Sequence, residues 1–217
     1  TNKTAQIQDL RFYIFNLKLI NSKGEAVAVS LTLNDYQDFG VALLDFEDAT
    51  GVCVGDAKLN TSIVGKVKAD TYTGIQFTVG VPDTGIDSTG KTVILNHSNT
   101  TAITAPLDVA AMAWSWQGGR KFAKIELNPV GGVTQTVAAT ATTPASTTTI
   151  PTFDFHLGST GCTAKVDASG AAVKDAAGNA VYTCTNPNVM DFTLPAFDVD
   201  KQNVALDIGQ LFKTSNL

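Results

Sequence analysis

Histidine, cysteine and basic residues are all scarce in this chain. Its 217 residues include 2 histidines and 3 cysteines, and 15 lysines and arginines stand against 20 acidic residues for a formal net charge of -5. A protein that binds nucleic acid needs clustered Lys and Arg side chains to neutralise phosphates. The sequence contains no such cluster, so we expect no nucleic-acid partner.

Long apolar runs and a signal peptide are also missing. No apolar run approaches the roughly 20 residues that a transmembrane helix requires, so we expect no membrane span. The segment that starts Thr1-Asn2-Lys3 has no basic region followed by an apolar one. The protein is therefore expected to be either cytosolic or already freed of its signal peptide.

The cysteines favour the second of these alternatives. Cys162 and Cys184 flank residues 163–183, which are rich in Gly, Ala and Asp and have little hydrophobic periodicity. A disulfide that closes such a loop stabilises the fold by roughly 3 kcal/mol in the chain-entropy model. It also implies an oxidising compartment. Cys53 is left over, and we expect it to be free or paired between chains. We interpret it as a buried or inert thiol in preference to a ligand, because no neighbour in sequence is basic enough to lower its pKa strongly.

Short β-type runs separated by turn residues recur along the chain and predict an all-β fold. We expect a β-sandwich or a Greek-key barrel-like arrangement with long loops, formed as a single domain over residues 1–217. Residues 133–149 are predicted to form an exposed loop or a loosely paired hairpin. Residues 106–113 and 204–212 are predicted to form short helices. The predicted strands are residues 10–20, 26–33, 41–46, 62–67, 75–81, 92–95, 121–127, 152–157 and 192–197.

Both histidines occupy positions that suit a binding site. His97 follows an apolar strand where a loop begins, and functional residues are often mounted on such loops. His156 alternates with Phe153 and Phe155, so it faces away from those two rings. Either histidine alone is more simply a surface or hydrogen-bonded residue. Because the chain has no other histidine, a site shared by both is an equally good interpretation.

Trp114 and Trp116, the only tryptophans, would share one face of a strand. Two imidazoles suit copper or zinc, but a structural zinc site needs further ligands at close spacing, whereas monovalent copper accepts few. An intact indole cannot ligate, because its nitrogen lone pair belongs to the ring and its N–H only donates. A cation over the indole face is the other option.

The sequence contains little that supports an enzymatic function. The run Gly158-Ser-Thr-Gly161 is not the Gly-x-Ser-x-Gly turn of hydrolases. No EF-hand loop or phosphate-binding glycine loop is present either. We therefore expect a binding protein without turnover of its own.

Eight segments resemble the MbnP-like family, the four-cysteine partners of the metallo-mystery pair. Its members are found beside methanobactin operons and among the copper-repressed surface proteins of methanotrophs. The similarity covers nearly the whole chain in family order, and its most specific parts are Trp-x-Trp-Gln and His-Leu-Gly-Ser-Thr-Gly-Cys. The segments are Leu10-Arg-Phe-Tyr-Ile-Phe-Asn, Val41-Ala-Leu-Leu-Asp-Phe-Glu-Asp, Gly74-Ile-Gln-Phe-Thr-Val-Gly-Val-Pro82, Leu95-Asn-His97, Ala105-Pro-Leu-Asp, Met112-Ala-Trp-Ser-Trp-Gln-Gly-Gly-Arg-Lys-Phe122, Phe155-His-Leu-Gly-Ser-Thr-Gly-Cys162 and Cys184-Thr-Asn-Pro-Asn188.

The resemblance implies a periplasmic or surface β-protein that binds one copper ion, preferably monovalent, in copper uptake or homeostasis. In the family, a diheme protein related to cytochrome c peroxidases oxidises the first Trp of Trp-x-Trp to kynurenine. Carried over, the ligands are His97, His156 and a kynurenine made from Trp114, with Trp116 and Met112 beside the site. Opening the indole ring creates an aniline nitrogen with a free lone pair, so the modified side chain can ligate.

One departure concerns the cysteines. The family is named for four, and this chain has 3. Cys53 matches the region of the first pair, so that family disulfide is not expected here. The competing function is a structural or adhesive surface module whose tryptophans contact carbohydrate or a protein.

Overall fold

The computed structural model describes residues 4–114, 119–175 and 178–215, and these confirm the all-β prediction. Helical structure in the described residues is limited to a 3-10 turn at Ala110–Met112 and the helix α1 at Ile208–Leu211. None of the described helices has the length and apolar character needed to cross a membrane. The strands are β1 (Ala5–Asn21), β2 (Ala26–Ala28), β3 (Ser30–Leu31), β4 (Gln37–Asp38), β5 (Val41–Asp45), β6 (Gly65–Lys66), β7 (Tyr72–Val79), β8 (Thr84–Ile86), β9 (Thr92–Ile94), β10 (Ala123–Pro129), β11 (Val133–Val137), β12 (Ser146–Ile150), β13 (Phe153–Leu157), β14 (Thr160–Ala164), β15 (Tyr182–Asn186) and β16 (Met190–Leu194).

The long strand β1 organises the main sheet. Its first half pairs with β10 and β5, and its second half with β7 and β2, so the strand changes neighbours along its length. The change coincides with a register shift between Phe15 and Lys18 and with Asn16 at φ 55. An irregularity of this kind bends a strand and increases its twist. The sheets described are sandwich-like and do not close into a barrel, which decides between the two predicted architectures.

Alternate residues of β1 point into two different apolar clusters. Tyr13 belongs to a cluster that also contains Leu95, Leu107, Met112 and Phe122, none of them exposed. Leu10 belongs to a second cluster with Ile125, Leu127 and Phe212. Each large side chain buried in this way contributes about 1.5–3 kcal/mol. The first cluster therefore anchors the loops between β9 and β10, where the predicted site lies.

In the described residues, four two-stranded pairs lie outside the main sheet: β3 with β6, β8 with β9, β11 with β12, and β14 with β15. Strands β11 and β12 pair over Val133 to Ile150, which confirms the hairpin alternative for residues 133–149. Strands β14 and β15 pair so that Cys162 lies directly opposite Cys184. The sequence predicted only a tethered loop here, because these strands are short and rich in Thr and lack an apolar face.

The predicted helix at residues 106–113 is wrong. The Ala105-Pro106 peptide is cis, and only Ala110–Met112 are helical. A helix through this segment would use the carbonyls of Pro106 and Leu107 for its own ladder. Those carbonyls instead accept hydrogen bonds from Tyr13 and Arg120, so tertiary contacts override the local preference.

The predicted helix at residues 204–212 is shorter than expected. It reduces to α1, which Asp207 caps by accepting a hydrogen bond from Gln210 N at 2.9 Å. Phe212 after it packs edge-on against Phe153 and Phe155, on the opposite side of β13 from the face predicted for His156. Trp116 lies outside the described residues, and so does the prediction that it shares a strand face with Trp114.

Candidate metal centre

His97 lies on the loop that follows β9, as predicted, and its ring is held on several sides. It stacks on Tyr182 of β15 with ring centroids 4.7 Å apart. Its Nε2 atom is 3.3 Å from Cys184 Sγ. A Cβ atom at Gly119 would lie 3.2 Å from His97 Cε1, so the ring packs closely over a residue without a side chain. His97 thus sits between the disulfide hairpin and the segment that follows the tryptophans.

Asn96 fixes the backbone on both sides of this ring. Its side chain is 1% exposed, donates to Ser159 Oγ at 3.1 Å and accepts from Arg120 N at 3.0 Å. Ser159 in turn donates to the Pro187 carbonyl at 3.2 Å. The buried Asn96 amide therefore links the His97 loop to Ser159, which follows β13, and to the backbone of Arg120.

Arg120 is the structural centre of the region, and sequence reasoning missed it. Its side chain is almost fully buried and donates to the carbonyls of Leu107 and Ser98 and to Ser98 Oγ, at distances of 2.7–3.0 Å. Burial lowers its pKa, and Tyr13 and Asp108 oppose that shift. The one sequence signal for its burial was alternation, because Arg120 is two residues from the buried Phe122 and residues two apart in a strand face the same way.

Trp114 follows the 3-10 turn and lies against the end of β13. Its backbone N–H donates to the Gly119 carbonyl at 3.0 Å, and Ala113 and Arg120 form an antiparallel β-bridge. A Cβ atom at Gly158 would lie only 2.1 Å from Trp114 Cζ3. The half-buried indole covers a position at which a side chain would force the ring or the Arg120 carbonyl, 2.7 Å from such a Cβ atom, to move.

Met112, predicted to lie beside the site, is fully buried in the first apolar cluster. Two residues before Trp114, it fixes the start of the Trp114 segment through packing alone. Its thioether is a soft group, but the described contacts are those of a core residue.

His156 lies on β13 and faces away from Phe153 and Phe155, as the alternation predicted. Its Nε2 atom is 2.8 Å from Glu126 Oε1, and its side chain is 25% exposed. Direct cross-strand pairs run from Asp45 on β5 through Arg11 on β1 and Lys124 on β10 to His156 on β13. Directly opposed residues share a face of the sheet. His156 therefore ends a row of ionisable side chains.

This row is tied together by ion pairs. Asp9, the next inward-facing residue on β1, pairs with both Arg11 and Lys124, and Lys124 Nζ is 3.0 Å from Glu126 Oε1. We call these residues, together with Asp45, Glu47 and His156, the charged face of the main sheet. Burial raises the pKa of Asp45 to about 6; the Glu47 backbone N–H and Arg11 oppose that rise, and the Glu47 and Asp56 carboxylates add to it.

The cysteines behave as predicted. Cys162 and Cys184 form a disulfide across β14 and β15, which fits an oxidising compartment. Cys53 is a free thiol, partly buried, with its Sγ 3.5 Å from the Ile7 carbonyl. Sequence reasoning did not connect the disulfide to His97, although the ligand atoms of His97, Cys162 and Cys184 all lie within 4.8 Å of one another.

Two glycines contact the predicted ligands. The Gly119 carbonyl accepts the Trp114 N–H, and the His97 ring packs against Gly119. The Trp114 ring packs against Gly158, which follows His156 by two residues. His97 and Trp114 therefore both contact Gly119. His156 is held separately by Glu126 on the charged face.

The fold and these contacts define a disulfide-bonded, sandwich-like β-protein whose loops place His97 and Trp114 next to the same glycine. The chain belongs to the MbnP family, whose sequence profile matches residues 1–217. The solved structure of MbnP from Methylosinus trichosporium is similar, with a TM-score of 0.77 and 33% sequence identity over 98% of this chain and 68% of that one. The family is associated with methanobactin-related systems. No curated protein sequence matches the chain significantly.

Proposed function

We propose that this protein binds one copper ion, preferably monovalent, outside the cytoplasm and serves copper uptake or homeostasis without turnover of its own. The ligands in this proposal are His97, His156 and a kynurenine made from Trp114. Two imidazoles and an aniline nitrogen form a low-coordinate nitrogen set, which suits monovalent copper and is too sparse for structural zinc.

The observation that supports the proposal is a set of contacts through which Trp114 is related to each histidine. Its backbone is bonded to Gly119, on which His97 packs, and its ring covers Gly158. Residues two apart in an extended chain face the same way and are about 6–7 Å apart. The Trp114 ring thus occupies the side-chain position next to His156.

Glu126 supports a role for His156 as a ligand. A metal-binding histidine usually donates its second ring N–H to a carboxylate, which fixes the tautomer and orients the ring. Glu126 Oε1 lies 2.8 Å from His156 Nε2, so Nε2–H donates to it and Nδ1 keeps its lone pair for a ligand. The same contact excludes Nε2 as the ligand atom in this conformation.

Modification of Trp114 is the second half of the proposal. The intact indole offers no lone pair, and oxidative ring opening by a diheme protein related to cytochrome c peroxidases supplies one. Trp114 is only half-buried, which suits access by such a partner, whereas the neighbouring Met112 is fully buried.

The test replaces each histidine in protein that carries the modification. His97→Gln and His156→Gln should each lower copper affinity by more than about tenfold, since even the loss of a supporting group around a metal costs 10–100-fold. Asp154→Asn is the matched control, because Asp154 is an exposed neighbour of His156 on the same strand. Copper competition against a coloured chelator measures the affinity. Full affinity in either histidine variant contradicts the ligand set.

A further inference from the structure

We propose a second, redox-gated metal site on the β14–β15 hairpin: when the disulfide is reduced, His97 and the thiolates of Cys162 and Cys184 bind one monovalent copper ion. The three ligand atoms already lie within 4.8 Å of one another, and all three residues are only partly buried. The site goes beyond the proposed centre, with which it shares His97 alone.

The donor set has the right chemistry. Two thiolates and one imidazole are soft and borderline ligands, which favour monovalent copper, and three donors suffice for that ion but not for four-coordinate structural zinc. A three-coordinate ion bound to one sulfur and one imidazole nitrogen holds these atoms about 3.8 Å apart, from bonds of about 2.3 and 2.0–2.1 Å at about 120°. His97 Nε2 and Cys184 Sγ are 3.3 Å apart, so little movement is needed.

The geometry of the hairpin also accommodates two thiolates on one ion. Cys162 and Cys184 are direct cross-strand partners. Their Cα atoms are 3.9 Å apart, closer than in an ordinary antiparallel pair. Rotation of the two side chains about their Cα–Cβ bonds can separate the sulfurs to about 4.0 Å, the spacing that a three-coordinate ion with bonds of about 2.3 Å requires.

The hairpin is held by contacts other than the disulfide, so the three ligands stay together when it opens. Backbone hydrogen bonds join Lys165 to Val181 and to Val173 at 2.7 and 2.8 Å. Asn188 Nδ2 donates to the Gly158 carbonyl at 2.8 Å, which ties the end of the hairpin to the chain after β13. The Tyr182 ring keeps its stack on His97.

The gating step is a thiol–disulfide exchange. A dithiol reductant gives two electrons and two protons, the Cys162–Cys184 bond breaks, and the reductant closes its own disulfide. Copper binding then displaces the two thiol protons. In the oxidised protein the sulfurs are bonded to each other and His97 is available to the centre that includes Trp114. In the reduced protein His97 belongs to the thiolate site.

The experiment uses the full chain with Cys53→Ser and His156→Gln, which remove the third thiol and disable the proposed centre. The protein is reduced with dithiothreitol, freed of reductant without oxygen, and titrated with monovalent copper against bicinchoninate. We expect one more copper per chain than in the oxidised form, protection of both thiols from alkylation, and an unchanged far-ultraviolet spectrum.

Adding His97→Gln should weaken this binding by more than about tenfold. The inference is overturned by any of three results: no additional copper after reduction, equal affinity with His97→Gln, or loss of the β-sheet spectrum on reduction. Because His156 is absent throughout, none of these results bears on the centre proposed above.

Discussion

His97 and His156 are mounted in two different ways. His97 lies on a loop held in place by hydrogen bonds whose acceptors do not titrate: the Asn96 side chain accepts from the Arg120 backbone N–H, and the Arg120 guanidinium donates to backbone carbonyls. His156 lies on a regular strand, at the end of a row of charged side chains that pair with one another. The loop region keeps its shape through the geometry of a few donors, whereas the strand region depends on the balance of charge.

The comparison shows why the hydrogen bonds of Arg120 should not depend on pH, whereas the ion pairs of the charged face should. Arg120 stays charged at any ordinary pH and bonds to carbonyls that do not titrate. The charged face contains Asp45, whose pKa burial raises to about 6. Each of the following predictions alters one region and leaves the other as its control.

The largest expected effect follows replacement of Arg120. Arg120→Ala leaves the buried carbonyls of Leu107 and Ser98 without donors, and each unsatisfied group costs about 1–3 kcal/mol. We expect a loss of about 3–5 kcal/mol in the free energy of unfolding, measured by denaturant titration.

Arg120→Lys is the control for charge alone. A lysine restores the positive charge but not the planar set of donors, so it should recover only part of the loss. Complete recovery with Lys would mean that charge, and not donor geometry, holds the loop.

The second prediction concerns Asp45 and the charged face. A carboxyl with a folded pKa of about 6 and an ordinary value of 3.8 binds more protons in the folded state between these pH values. Stability therefore falls as pH rises from about 4 to about 6, by up to about 3 kcal/mol. Asp45→Asn removes this dependence, because an amide does not titrate. Its oxygen can still accept from Glu47 N, so the variant keeps this hydrogen bond.

Denaturant titrations at several pH values measure the difference between the native protein and Asp45→Asn. The difference should be near zero below pH 4 and largest above pH 6, with the Asn variant more stable. A difference that does not change with pH would show that Asp45 is not buried as a charge on this face.

The third prediction concerns the contact between Trp114 and Gly158. Gly158→Ala places a methyl group on the indole ring, so the ring or the strand end must move, at a cost of about 1–3 kcal/mol. In a Trp116→Phe background, the fluorescence of Trp114 should shift towards that of an exposed indole. Gly209→Ala, in α1, is the control and should leave the emission unchanged.

The elements that the sequence predicts well are those with strong local patterns. The alternation in residues 153–157 assigned both faces of β13, and the Cys162–Cys184 pair could be proposed because the stretch between them needed a tether. The helix at residues 106–113 failed because Tyr13, far away in sequence, takes the Pro106 carbonyl. Arg120 and Glu126 could not be assigned, since their partners are defined only by the folded backbone.

The most direct test of the copper proposal compares copper content with the chemical state of Trp114. Protein made with and without the proposed diheme partner is analysed by intact and peptide mass spectrometry, and copper per chain is measured on the same samples. The account predicts that tight copper binding rises in proportion to chains in which Trp114 has gained one oxygen and lost one carbon. Full copper loading on chains with an intact Trp114 would contradict it and would favour a cation held over the indole face.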